Sequence, residues 1–218
     1  MPLLAIESST ECCSVALRVG DEIFSRSVVE PRAHARLILP WATELLEEAG
    51  IGFGQLDALA VSRGPGSFTS LRIGLGIVQG IALAHDLPVH AVSSLDVLAA
   101  SADPEANSPR LLALLDARMG EVYAAWYRSE KGQHERIGEE KLLPPEQLEA
   151  PDTNRWNATG PGARAFRDVI VQRFGEQIGF IIDDSWPQAT ALLRLADGVE
   201  AVPGHRLEPA YLRDQVTG

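Results

Sequence analysis

Lysine is almost missing from this sequence: Lys131 and Lys141 are the only two in 218 residues. A phosphate-gripping or Schiff-base lysine is therefore excluded from the first half of the chain. Cysteine is as scarce, limited to the adjacent Cys12 and Cys13. Neighbours on a strand point to opposite faces, so the pair makes neither a disulfide framework nor a C-x-x-C motif. Small packing residues in a reducing compartment are expected instead. Positive charge is also short, with 30 acids against 19 Lys and Arg and a net charge of −11. The deficit is spread evenly, −5 over residues 1–100 (11 acids, 6 bases) and −6 over residues 101–218 (19 acids, 13 bases). Holding a nucleic-acid backbone depends on clustered Lys and Arg that release counterions, and neither half has that surplus. The opening MPLLAIESS has no basic leader and meets Glu7 early, while the longest apolar run, IGLGIVQGIALA, falls short of the roughly 20 residues of a membrane span. A cytoplasmic protein without membrane contact is expected.

What is present is a chain with 45% hydrophobic residues, ample for buried cores. Residues 3–9, 13–19 and 22–29 read as three strands joined by brief turns. From 33 to 49 the period changes: Ile38, Trp41, Ala42, Leu45, Leu46 and Ala49 form one helical stripe, closed by Gly50. Pro40 either kinks this helix or marks its true start. Residues 56–62 then read as a strand, 67–84 as a helix, 87–92 as a strand and 94–102 as a helix capped by Ser93 or Ser94. A polar, proline-containing break at 103–109 divides the chain into lobes at 1–102 and 110–218. The opening pattern returns after the break: RLLALLDARMGEVYAAWY echoes LLAIESSTECCSVAL, with Asp116 in the place of Glu7. TGPGARAF at 159–166 then echoes RGPGSFTS at 63–70. Two echoes in one order predict a duplicated βββαβα unit whose second copy is abbreviated.

Two turns in the first half have the composition of phosphate-binding loops. Ser8, Ser9 and Thr10 follow Glu7 at a strand end, and Gly64, Gly66 and Ser67 open a helix whose first N–H groups favour an anion. A second reading is open for the same residues: a tight strand turn at 8–10 and a helix cap at Ser67, with the glycines serving the turn. Neither G-x-x-x-x-G-K-[ST] nor G-x-G-x-x-G is present.

With these turns, the segments LLAIESSTECCSVAL, SRGPGSFTSLRIGLGIVQGIA, AVSSLDVLA, DARMGEVYAAWY and EPAYLR make the chain resemble the TsaB (YeaZ) family of bacterial tRNA threonylcarbamoyladenosine biosynthesis proteins. The likeness covers most of the first 127 residues, thins over 128–200 and returns at 208–213; GPGSFTSLRIG is its most specific part. The resemblance implies an α/β protein of the actin-like ATPase fold, with two lobes of RNase H-like topology. It also implies a part in placing a threonylcarbamoyl group on the adenosine beside the anticodon of tRNA. A related catalytic subunit, TsaD, is the implied partner, with a TsaE-like ATPase joining through the complex, tRNA reached only indirectly, and a homodimer when the partner is missing. ATP or ADP binding would be weak or at an interface. TsaD carries a metal-binding HxxxH pattern on the helix after the strand that corresponds to LPVHAV. Here those positions fall on Ser94 and Leu98, and neither side chain replaces an imidazole as ligand. His34, His85, His90, His134 and His205 include no i,i+4 pair, so no metal is expected. The expected role is a non-catalytic subunit. A nucleotide-binding regulator or degenerate ATPase is the alternative, and a peptidase stands further behind, since no HExxH or GxSxG motif is present.

The helix at 67–84 carries Gly74, Gly76 and Gly80, each costing about 0.8–1.0 kcal/mol relative to alanine. Its residues are apolar nearly all round except Arg72 and Gln79, which predicts burial on more than one side. Gly76 and Gly80, four apart, admit close approach either of another helix or of the chain's own sheet. The expected partner surface comprises Leu37, Leu39, Arg72, Gly76, Gly80 and Leu83. From the charge deficit, the isolated chain is expected to bind tRNA weakly in a filter-binding titration at physiological salt. Tight, salt-sensitive binding, with Kd below about 1 μM, would contradict the reading of its charge.

Overall fold

The fold is taken from a computed structural model that describes residues 1–130 and 132–212. Lys131 and Arg213, the last residue of EPAYLR, lie outside the described residues. In the first 102 residues the elements are β1 (Leu3–Glu7), β2 (Cys12–Val19), β3 (Glu22–Val29), α1 (His34–Glu48), β4 (Ala58–Ser62), α2 (Phe68–His85), β5 (Pro88–Val92) and α3 (Ser94–Ala102). Antiparallel pairing joins β1, β2 and β3, while β1, β4 and β5 run parallel. Every residue of β1 is buried, as expected for a strand covered on both faces. Leu4 and Ile6 join Ile38, Ala42, Leu45 and Leu46 of α1 and Leu75, Val78 and Ile81 of α2 in one core cluster. Pro40 lies inside α1 and does not mark its start. Ser93, not Ser94, caps α3, its hydroxyl accepting from Leu95 N–H at 3.2 Å.

The second half repeats this order with β6 (Arg110–Arg118), β7 (Glu121–Glu130), β8 (Gln133–Leu143), β9 (Trp156–Thr159), the short helices α4 (Pro161–Ala165) and α5 (Arg167–Phe174), and β10 (Ile178–Ile182). Its sheet runs β10-β9-β6-β7-β8, the spatial order of β5-β4-β1-β2-β3 in the first sheet. Where the first copy has α1, the second has one helical turn at 145–147 and irregular chain, which is the abbreviation. The echo extends to the backbone. Gly64 and Gly160 occupy the same position of the repeat with φ of +106° and +99°, a conformation that favours glycine. The second core is aromatic, with Trp126 edge-on to Trp156 at 4.7 Å between ring centroids.

The chain then departs from the expected division. After α6 (Ala189–Ala196) it adds β11 (Ala201–Pro203), antiparallel to β5, to the edge of the first sheet. The two compact units are therefore residues 1–97 with 188–210, and a second unit beginning at Leu98, so the division falls within α3 rather than at 103–109. Polar contacts fix the return. Ala189 N–H donates to Ser14 Oγ at 3.1 Å, and Arg18 makes a two-pronged contact with Asp197 at 2.8 and 2.7 Å. The Arg18 guanidinium holds the Asp197 carboxyl below the usual carboxylate range.

Within its unit α2 is buried on one side only, through Leu71, Gly74, Leu75, Val78, Ile81 and Ala82. By length and composition it is the one described helix that reaches the minimum for a membrane span, 18 residues at mean hydropathy 1.2, although its buried face belongs to the core. Its glycines differ. A Cβ on Gly74 would run into the side chain of buried Ser8 and stand 3.7 Å from Ile6, whereas Cβ atoms on Gly76 and Gly80 would meet nothing within 4 Å. Gly74→Ala is therefore expected to destabilise the chain by about 1–3 kcal/mol through overpacking. Gly76→Ala should stabilise it by about 0.8–1.0 kcal/mol. Urea unfolding of the two variants checks the contrast, and equal effects would refute it.

Candidate functional site

The carboxyl ends of parallel strands are where open α/β sheets bind ligands. Here β1 ends in Glu7 and β4 in Ser62, with Ser94 just past β5; all three are fully buried. Glu7 Oε1 accepts from Ser9 N–H at 2.7 Å, two residues on. The Ser9 carbonyl accepts from Ser67 N–H, also at 2.7 Å. Gly66 lies so close beneath Ser9 that any side chain there would strike the Ser9 backbone. The two glycine- and serine-rich turns are thus tied to each other through one residue. Cys12 N–H is held by Thr10 Oγ1 at 3.1 Å, closing the first turn from its far side.

The geometry places each residue of the nucleotide reading. Ser8 and Ser9 are 0% and 1% exposed, and the N–H groups of Ser9 and Ser67, which an anion would need, already serve the Glu7 carboxyl and the Ser9 carbonyl. The buried hydroxyls of Ser8, Ser9 and Ser94, by contrast, have no hydrogen-bond partner among the described residues, and Ser67 is exposed. The structure sets Ser9 against Gly66 and Ser67, while the Gly64 carbonyl accepts from Ser94 N–H at 3.0 Å and the space beside Ser8 is filled by Gly74. Ser67 departs from its expected capping role: its hydroxyl pairs with that of Ser70 at 3.1 Å. What the sequence reading missed is Glu7 as an internal anion. Its counterpart in the second copy behaves alike: Asp116 Oδ1 accepts from Arg118 N–H at 2.7 Å, also two residues on.

Burial pushes the Glu7 carboxyl above its ordinary value of 4.5, and hydrogen bonding from Ser9 offsets this only in part. Burial likewise raises the thiols of Cys12 and Cys13 to about 12, so neither is a reactive thiolate at neutral pH. Among the described residues no three His, Cys, Asp or Glu side chains gather as a metal would require. Ser94 and Leu98, at the HxxxH positions, are both fully buried. Four histidines have other surroundings. Burial lowers the pKa of His34, His85 stacks on Phe53, His90 Nδ1 lies 2.7 Å from the Val199 carbonyl, and His134 Nε2 lies 3.0 Å from the Asp103 carbonyl.

On the other side of α2 the chain offers an open face. Arg72, Gly76, Gly80 and Leu83 follow one another along its exposed side, and Leu83 is 85% exposed. The Arg72 guanidinium lies 3.6 Å from the Phe68 ring centroid, which keeps a long cation folded along the helix. On α1, Leu39 is 47% exposed, whereas Leu37 is half-buried against the core. The expected partner residues thus share two neighbouring helices, with Leu37 contributing least surface.

Fold and site together define a duplicated α/β domain of the actin-like ATPase kind, with two hydrogen-bonded turns at the carboxyl edge of its first sheet and an exposed helix face. Residues 27–172 match the family "TsaD: tRNA N6-adenosine threonylcarbamoyltransferase". The chain is 38% identical to the tRNA threonylcarbamoyladenosine biosynthesis protein TsaB of Escherichia coli, over 99% of this chain and 96% of that protein. Identity to TsaB of Haemophilus influenzae is 36%, over 100% and 95%. The solved structure of YeaZ from Pseudomonas aeruginosa matches with a TM-score of 0.88 at 40% identity, covering 97% of this chain and 99% of that one. The chain belongs to the TsaB (YeaZ) family and has a role in tRNA threonylcarbamoyladenosine biosynthesis.

Glu7 supplies a pH test. An acid whose folded pKa exceeds its unfolded value stabilises the fold when protonated, and that contribution is lost as pH rises from about 4.5 through the raised value. Glu7→Gln keeps the acceptor for Ser9 N–H without the charge. Its Tm should exceed that of the wild type at pH 8, with the gap closing toward pH 4.5. A variant less stable at every pH would show that the carboxylate itself is needed.

Proposed function

We propose that this chain is a non-catalytic subunit that binds a TsaD-like catalytic subunit through the exposed face of α1 and α2 and keeps it active in tRNA threonylcarbamoylation. The observation that carries the reading is the pair Gly76 and Gly80, open to solvent on a long helix whose opposite face is core. Each glycine costs helix stability, and neither is required by a neighbour within the chain. Both leave room for a helix from outside. The kinship supports the same partner, since the family match is to TsaD while Ser94 and Leu98 cannot hold its metal. A second copy, occupying the same face when the partner is absent, is part of the proposal, as is a TsaE-like ATPase that joins through the complex.

The closed ligand edge favours this reading over a nucleotide-binding regulator. Opening it would break the Ser9–Glu7 and Ser9–Ser67 hydrogen bonds and uncover a buried carboxylate, so ATP or ADP is better held between subunits than by these turns alone. Gly80→Leu tests the interface. It adds a side chain where the partner helix must approach and improves helix propensity, so circular dichroism should report a folded chain. Affinity for the purified TsaD-like subunit by calorimetry is expected to fall at least about 100-fold, roughly 2.7 kcal/mol. A folded variant that binds like the wild type would move the interface to another face.

A further inference from the structure

Beyond the end of the exposed line on α2 lies a groove of about 800 Å³, open on one side. Its walls are Ala82, Leu83 and Leu87 on the helix side and Val202 and Pro203 of β11 opposite, with Pro88 at the start of β5. The far wall stands close because Gly204 has no side chain: a Cβ there would fall 2.6 Å from Ala82 Cβ. Leu83 belongs both to the groove and to the exposed helix face, so the two surfaces are continuous.

Asp86, in the groove, breaks two local rules at once. It ends α2 in the left-handed conformation, φ +53°, where glycine or asparagine is usual. It also sets a carboxylate at the negative end of an 18-residue helix, where cations are favoured. Its carboxylate meets no hydrogen-bond or ion-pair partner among the described residues. His85 beside it, a basic residue in the last turn, is turned onto Phe53. Residues that break local preference without an internal gain mark functional positions more often than others. Mostly apolar walls and an unpaired carboxylate, with Gln79 and His205 as the other polar side chains of the lining, describe the occupant: an apolar segment bearing a cation. A second copy is a poor match, because it brings a further −11 to the contact.

We infer that this groove receives an apolar segment of the catalytic partner, with a lysine or arginine of that segment set against Asp86. The inference rests on the partner reading above and extends the contact past the helix pair to β11. The probe is the purified TsaD-like subunit of the same organism, titrated into the full chain at two salt concentrations. Val202→Arg, which fills the groove with a cation, should weaken binding about tenfold or more. Asp86→Asn keeps the left-handed turn and removes the charge. It is expected to raise Tm, weaken binding about three- to tenfold and flatten the salt dependence. A purely structural residue would not raise Tm while lowering affinity. If both groove variants bind within about twofold of the wild type while Gly80→Leu does not, the helix face stands and the groove inference is overturned. Failure of the wild type to bind overturns both readings. Groove variants that change only self-association in the ultracentrifuge would give the groove to a second copy and overturn the inference as stated.

Discussion

The backbone of Ser9 is the constraint on which the first unit's functional edge depends. Its N–H is taken by Glu7 and its carbonyl takes the N–H of Ser67, both at 2.7 Å. A strand turn and a helix start that in other α/β domains face a ligand are here bonded to each other. Gly66 and Gly74 are the conditions for that contact, since a Cβ on either would strike Ser9 or Ser8. Burial of Glu7 follows from it, and with burial comes the upward shift of its carboxyl.

A second, exposed surface lies along α2. The helix satisfies its core with Leu71, Leu75, Val78 and Ile81 and turns Arg72, Gly76, Gly80 and Leu83 outward. Exposed glycine in the middle of a helix lowers stability without serving the chain itself. The same position gives an incoming helix its shortest approach. Stability and the association proposed above pull these residues in opposite directions. The return of residues 188–210 to the first sheet adds to this surface by setting β11 beside the carboxyl end of α2.

Much of this was legible in the sequence. The duplicated strand order followed from two echoes, and Gly64 and Gly160 repeat not only the letter but the backbone conformation. The structure sets the turns at 8–10 and 64–67 against each other through Ser9. Their chemistry was not legible, because composition cannot tell whether an N–H faces solvent or a carboxylate two residues away. Nor could it separate Gly74, pressed against Ser8, from Gly76 and Gly80, since helical spacing gives faces but not which face is covered. The return of α6 and β11 went unseen for a related reason. Ala189, Asp197 and Ala201 look like ordinary positions, and only their partners Ser14, Arg18 and His90 assign them to the first unit.

Hydrogen exchange of the free chain, of the chain with millimolar ATP and of the chain with the TsaD-like subunit, followed by mass spectrometry, tests the central claim most directly. The account predicts slow exchange at Ser9 and Ser67 in the free chain, unchanged by ATP, and new protection across α1 and α2 when the partner is added. Protection of the 8–12 and 64–67 turns by ATP, with α2 unaltered by the partner, would contradict it.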